Sequence, residues 1–253
     1  MFDLQLISAE VLKLRRRRGM LAIAVLLTLG LVALVFAVTG IQHAGNPAKY
    51  GPAGGAANYR DGLSVIVLMS LVVGVIVGGT AGTQDIESGV FRDLAATGRS
   101  RMALFGARVT GAWAIVLPIV GVTAAALGAL SVVLAGTAAA PGAATLLAGT
   151  AGLLAAGALS TAVAVGLSAV VGSRGPLIGI LLAFFLAIEP LLAAIGFLGN
   201  LRQGIPSVAI DRIGHMPIDG GVQLALGSAI AVAIGWAAIA IGLGAWKTKT
   251  REI

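Results

Sequence analysis

Six apolar runs alternate with polar segments along this chain, at residues 20–41, 63–82, 103–137, 143–171, 176–199 and 222–246. At a rise of 1.5 Å per residue, each can cross a hydrocarbon core of ~30 Å as a helix. The pattern predicts an all-α integral membrane protein, residues 1–253 forming a single transmembrane domain with six spanning helices. Ahead of the first run, Leu4, Ile7, Val11 and Leu14 recur at three- and four-residue steps, leaving Asp3, Gln5, Ser8, Glu10 and Lys13 off that stripe. Such spacing predicts an amphipathic helix over residues 1–18 that lies on the membrane surface. The basic run Arg15, Arg16, Arg17 and Arg18 then faces anionic headgroups. A signal peptide is the rival reading, but residues 20–41 exceed a usual apolar h-region and no small-x-small cleavage pattern follows. Residues 42–62 and 200–221, rich in turn formers and polar residues, read as loops on the far side.

The longest polar stretch between two apolar runs is Asp85 to Arg101, D-I-E-S-G-V-F-R-D-L-A-A-T-G-R-S-R. A passive linker needs far fewer residues. Here Val90, Phe91, Leu94 and Ala95 are spaced as one helical stripe, interleaved with Asp85, Glu87, Arg92, Asp93, Arg99 and Arg101. The composition predicts a short helix over residues 85–100 at the membrane surface, offering a face to a partner; a solvated loop is the plainer alternative.

Hydrophobic residues make up 58% of the chain and charged residues 11%, against roughly 25% charge in soluble domains. The net charge of +7 therefore concerns orientation rather than nucleic acid. With the N-terminus in the cytoplasm, Lys13, Arg15 to Arg18, Arg92, Arg99, Arg101, Arg108, Arg174, Lys247, Lys249 and Arg251 fall inside, while Lys49, Arg60, Arg202 and Arg212 fall outside. That asymmetry predicts cytoplasmic termini. The chain has no cysteine, which excludes disulfides and thiol chemistry. His43 and His215 lack the spacing of a metal site, so no metal is expected. Glycines such as Gly74 and Gly78 suit close helix approach, although codon bias also enriches glycine and alanine.

Glu189, followed by Pro190, reads as the ionisable residue set deep in an apolar run. A carboxylate in that position is costly and should face protein or water. It is either a polar point on a substrate path or a structural group that answers backbone freed by the proline; the sequence leaves both open. Scattered hydroxyls (Thr28, Ser70, Thr123, Ser160) are the other polar groups within the spans. No phosphate loop, H-E-x-x-H or serine elbow occurs, so no catalytic residue is assigned and any ATP energy must come from another subunit.

The first cytoplasmic stretch carries E-x-G-x-x-R-x-L-x-x-T-x-x-S-R at Glu87, Gly89, Arg92, Leu94, Thr97, Ser100 and Arg101. Together with the basic amphipathic N-terminus, the six spans and the Glu189-Pro190 pair, it resembles the type-2 permeases of ATP-binding-cassette (ABC) exporters. Two positions depart from the family's habit, Val90 where threonine is usual and Gly98 where proline is common. The resemblance implies a coupling helix that docks on a separate cytoplasmic ABC ATPase, with Asp85, Glu87, Gly89, Phe91, Arg92, Leu94, Arg99 and Arg101 as coupling residues. It further implies two ATPase copies, which carry the ATP and Mg, and a second permease copy in the bacterial cytoplasmic membrane. Export of a drug or peptide-like amphipathic molecule, as in multidrug efflux, is the activity implied. The alternatives are an ion-driven carrier that uses Glu189 and a membrane assembly factor that transports nothing.

Overall fold

The structure, a computed structural model, describes residues 4–90, 100–217 and 222–250. Among these it is all helical, with six helices long and apolar enough to span a membrane. A first helix, α1 (Leu4–Arg15), ends where Arg17 leaves helical geometry at φ −83°, ψ 68°. The spans are α2 (Arg18–Gly45), α3 (Ala56–Glu87), α4 (Arg101–Val133), α5 (Ala143–Val171), α6 (Arg174–Ala194) and α8 (Leu226–Thr250). Between α6 and α8 lie a 3₁₀ run, Gly196–Gly204, and the short helix α7 (Pro206–Ile213).

Two stretches that read as loops are largely helical. Helix α2 continues through Gly45 and α3 already begins at Ala56, because polar residues at helix ends can meet water without breaking the backbone ladder. The short connection left between them is stitched to the end of α4: Gly54 N–H donates to Leu134 O at 2.9 Å and Gly55 N–H to Ser131 O at 2.7 Å. Beyond α6, Pro206 occupies the first turn of α7, where a missing N–H costs nothing. Val208, Ala209 and Ile210 of α7 are buried against the bundle.

Helices α3 and α5 form the centre, each with 67% of its apolar window buried, against 11% for α8. They run parallel, so their contacts advance together: Gly74 lies beside Ser160, Gly78 beside Thr161 and Gly82 beside Ser168. A Cβ on Gly78 would stand 2.7 Å from the Thr161 carbonyl oxygen. The small-residue pattern thus has a packing cause here, whatever codon usage adds. Gly166 of α5 and Gly244 of α8 repeat the arrangement on the other side. At the end of α5, Gly172 takes a left-handed φ of 74° and lets the chain turn into α6 within two residues. One face of the bundle, the basic face, thereby gathers α1, the end of α3 and the starts of α4 and α6.

Candidate functional site

At the basic face three elements meet on one carboxylate. Asp85, in the last turn of α3, is 4% exposed. Lys13 Nζ of α1 donates to both of its oxygens at 3.0 Å, and Arg108 Nη2 of α4 donates to Oδ2 at 3.2 Å. Lys13 also reaches back 2.7 Å to Glu10, one helical turn earlier. Gly111 on α4 makes the approach of α1 possible, since a Cβ there would sit 2.8 Å from Glu10 Cβ. The result is a buried cluster of two acids and two bases.

Burial pushes the Glu10 carboxyl above its ordinary value; Lys13 opposes that shift, Asp85 adds to it, and Arg108 opposes it. The amphipathic stripe of α1 accordingly divides. Leu14 is fully buried and Val11 half-buried against the bundle, while Leu4 is exposed. Glu10 and Lys13, which fall off the stripe in the sequence, turn into the protein because Asp85 and Arg108 answer them. Arg15, Arg16 and Arg18 are exposed and Arg17 half-exposed. Arg108 is also a second ionisable residue inside an apolar run, 2% exposed, where the sequence singles out Glu189 alone.

Glu87 makes a different tie. Its Oε1 accepts the backbone N–H of Arg174, the first residue of α6, where helix geometry leaves N–H groups without partners and favours negative charge. Gly89, at φ 73°, closes the end of α3, its N–H reaching back to Ile86 O. Arg101 opens α4 and is half-buried. Phe91, Arg92, Leu94 and Arg99 lie outside the described residues. The polar stretch is thus anchored at its start to α1, α4 and α6.

Toward the opposite face, Glu189 follows a π-helical turn, Phe184–Ile188, in α6 and is fully buried. Ser207, in the first turn of α7, faces its carboxylate with both hydroxyl and backbone N–H, and Asp211 of α7 acts on it as a like charge. No hydrogen bond of ordinary geometry closes: among the described residues, both Glu189 oxygens and the Ser207 hydroxyl lack a partner. The hydroxyls Thr28, Ser70, Thr123 and Ser160 are all fully buried, and each donates to the carbonyl four residues earlier in its own helix. Their hydroxyl protons are consumed by local backbone bonding. Sequence reasoning missed Glu10, Arg108, Ser207 and Asp211. Only the Glu10/Lys13 spacing carried a signal, as an ion pair three residues apart.

The sequence model of the ABC-2 family transporter proteins matches residues 6–189. The chain belongs to that family. No curated protein matches it individually. As an ABC-2 transporter protein with six apolar spans, it is a multi-pass membrane protein and the permease component of an ABC transporter. The matched span takes in α1 from its third residue onward, the ion cluster and the whole polar stretch, and ends at Glu189.

Proposed function

We propose that this ABC-2 protein is the permease of an exporter that expels small amphipathic or hydrophobic molecules across the cytoplasmic membrane. ATP is hydrolysed by a separate ABC ATPase, present in two copies beneath a permease dimer. Family membership supports the ATPase partner. The observation that carries the coupling route is the anchoring of Asp85 and Glu87 to three other helices.

On this reading, closure of the ATPase dimer displaces residues 85–100, with Phe91 and Leu94 as the apolar contact and Arg92, Arg99 and Arg101 as its charged rim. A helix held only by its own chain would absorb such a push. Here Asp85 passes it to α1 and α4, and Glu87 passes it to the first turn of α6. The basic run Arg15 to Arg18 keeps α1 on the inner leaflet, so the push has a fixed reference. The ion-driven alternative has less support, because no relay of ionisable side chains links Glu189 to the Asp85 cluster among the described residues.

The test is affinity purification of the tagged protein in mild detergent, followed by an ATPase assay. A stoichiometric ABC ATPase should co-purify with the wild type and be lost, with at least a tenfold drop in associated activity, from Phe91→Asp. Recovery of the chain alone, or a Phe91→Asp complex with full activity, would overturn the reading.

A further inference from the structure

A cleft of about 240 Å³ lies between α2, α3 and the end of α4, at the other end of α3 from the Asp85 cluster. Val32 and Phe36 of α2, Ile66 of α3 and Leu127 of α4 are buried and form its floor. Its lips, Val35 and Val65, are exposed apolar side chains of spanning helices and so border the bilayer. Along α2 the cleft runs from Thr39 to Leu31, eight residues or about 12 Å. Its polar groups, Thr39, Asn58 and Asp61, gather at one end. Asp61 precedes the uncharged run 63–82 by two residues, which sets that end at the edge of the hydrocarbon.

The hydrogen-bond inventory of the polar end is one-sided. Asn58 Nδ2 donates to the carbonyls of Pro52, Ala53 and Gly54 at 2.9, 3.0 and 3.2 Å. Its donor side is spent on holding the α2–α3 connection, which leaves Oδ1 to accept. Thr39 gives its hydroxyl proton to Val35 O at 2.9 Å, and its oxygen keeps lone pairs. Asp61 is exposed, with no hydrogen bond or ion pair among the described residues. The end therefore offers acceptors and one negative charge, and among the described residues no lysine, arginine or histidine lines the cleft. An anionic head would be repelled, and a hydroxyl head would supply one donor and no charge. A primary ammonium supplies three donors and the missing charge, in a place where low dielectric strengthens the pairing. The three Asn58 bonds fix the polar end in advance, which lowers the ordering cost of binding.

We propose that this cleft binds single-chain alkylammonium amphiphiles from the adjoining leaflet, with the head at Asp61, Asn58 and Thr39 and the tail over Val32, Phe36 and Ile66. The volume falls below that of ordinary drug-sized sites, which suits one chain. A two-chain phospholipid would also bring a phosphate that finds no cation in the cleft. The site is built by α2, α3 and α4 alone, so it is independent of the exporter reading.

The test is photolabelling of the full chain in phosphatidylcholine vesicles, with decylammonium carrying a diazirine on its tail as the probe. At pH 7 the amine is charged, as a lysine side chain is. Adducts mapped by mass spectrometry should concentrate on Leu31, Val32, Phe36, Val65 and Ile66, and unlabelled decylammonium should reduce them at least fivefold. Decanol carrying the same diazirine should label these residues at least fivefold less. Asp61→Asn should cut labelling by decylammonium at least fivefold, and Val35→Trp should do so by filling the mouth. Both positions are exposed, so neither change disturbs the packed core. Equal labelling by the decanol probe, adducts spread evenly over all lipid-facing helices, or undiminished labelling in either variant would overturn the proposal.

Discussion

Asp85 and Glu189 are both carboxylates buried in spanning helices, one near each face of the bundle, and their surroundings differ in kind. Asp85 has Lys13 and Arg108 within 3.2 Å and ties three helices together. Glu189 meets an idle hydroxyl and another acid, with no hydrogen-bond partner among the described residues. A buried carboxylate with its counter-charges holds three helices in one arrangement, whereas Glu189 faces only polar groups of one short helix. On the reading proposed above, the basic face is the one that transmits force from the ATPase.

The largest break in that contrast should come from Asp85→Ala, which removes the buried carboxylate that Lys13 and Arg108 share. Removing one partner of a buried pair costs ~3–5 kcal/mol. Thermal unfolding in detergent should show a marked fall in Tm, and the complex with the ATPase should be recovered poorly. By comparison, Glu189→Gln should leave Tm nearly unchanged, since the carboxylate contributes no closed hydrogen bond. A Glu189→Gln loss as large as that of Asp85→Ala would erase the distinction.

Glu87→Gln tests the weaker tie. Its exposed carboxylate at the start of α6 is worth ~0.5–1 kcal/mol by helix-terminus electrostatics. Tm should drop slightly while ATPase activity per complex falls more, because on the proposed coupling route the tie to α6 carries movement. Smallest is the pH effect of Glu10. Its folded pKa is raised above the ordinary 4.5 mainly by burial, so the folded state holds the proton more tightly than the unfolded state. Stability from this source is fully present below pH 4.5 and is lost as pH rises through the raised value. Glu10→Gln should lack that component, so the Tm difference between variant and wild type should grow in the variant's favour over the same window.

Much of the architecture was legible because lipid imposes a simple rule: only uninterrupted apolar helices satisfy their backbones there. The six runs, the close glycines at Gly74 and Gly78, and the tight turn after α5 all follow from local sequence. Helix ends were harder, since polar residues such as those at 42–45 and 56–62 tolerate helix and loop alike. The site was legible only where its residues adjoin in sequence. Asp85 meets Lys13 across 72 positions and Arg108 across 23, and nothing in a single sequence announces such pairings. Arg108 was obscured further by counting as one more basic residue at a helix end. Asp211 and Ser207 read as loop polarity because the eight residues of α7 are too short for a periodic pattern to stand out.

The π turns at Leu26–Gly30 in α2 and Phe184–Ile188 in α6 lie in two of the less buried spans, while α3 and α5 have none. Each stores one surplus residue in its helix. Absorbing that residue into ordinary α winding would rotate everything beyond it by about 100° and lengthen the ladder by about 1.5 Å. In α6 the part beyond is Glu189 and the entry to α7. A screw motion of that size would carry the carboxylate from facing Ser207 to facing away, without disturbing the α3–α5 seam.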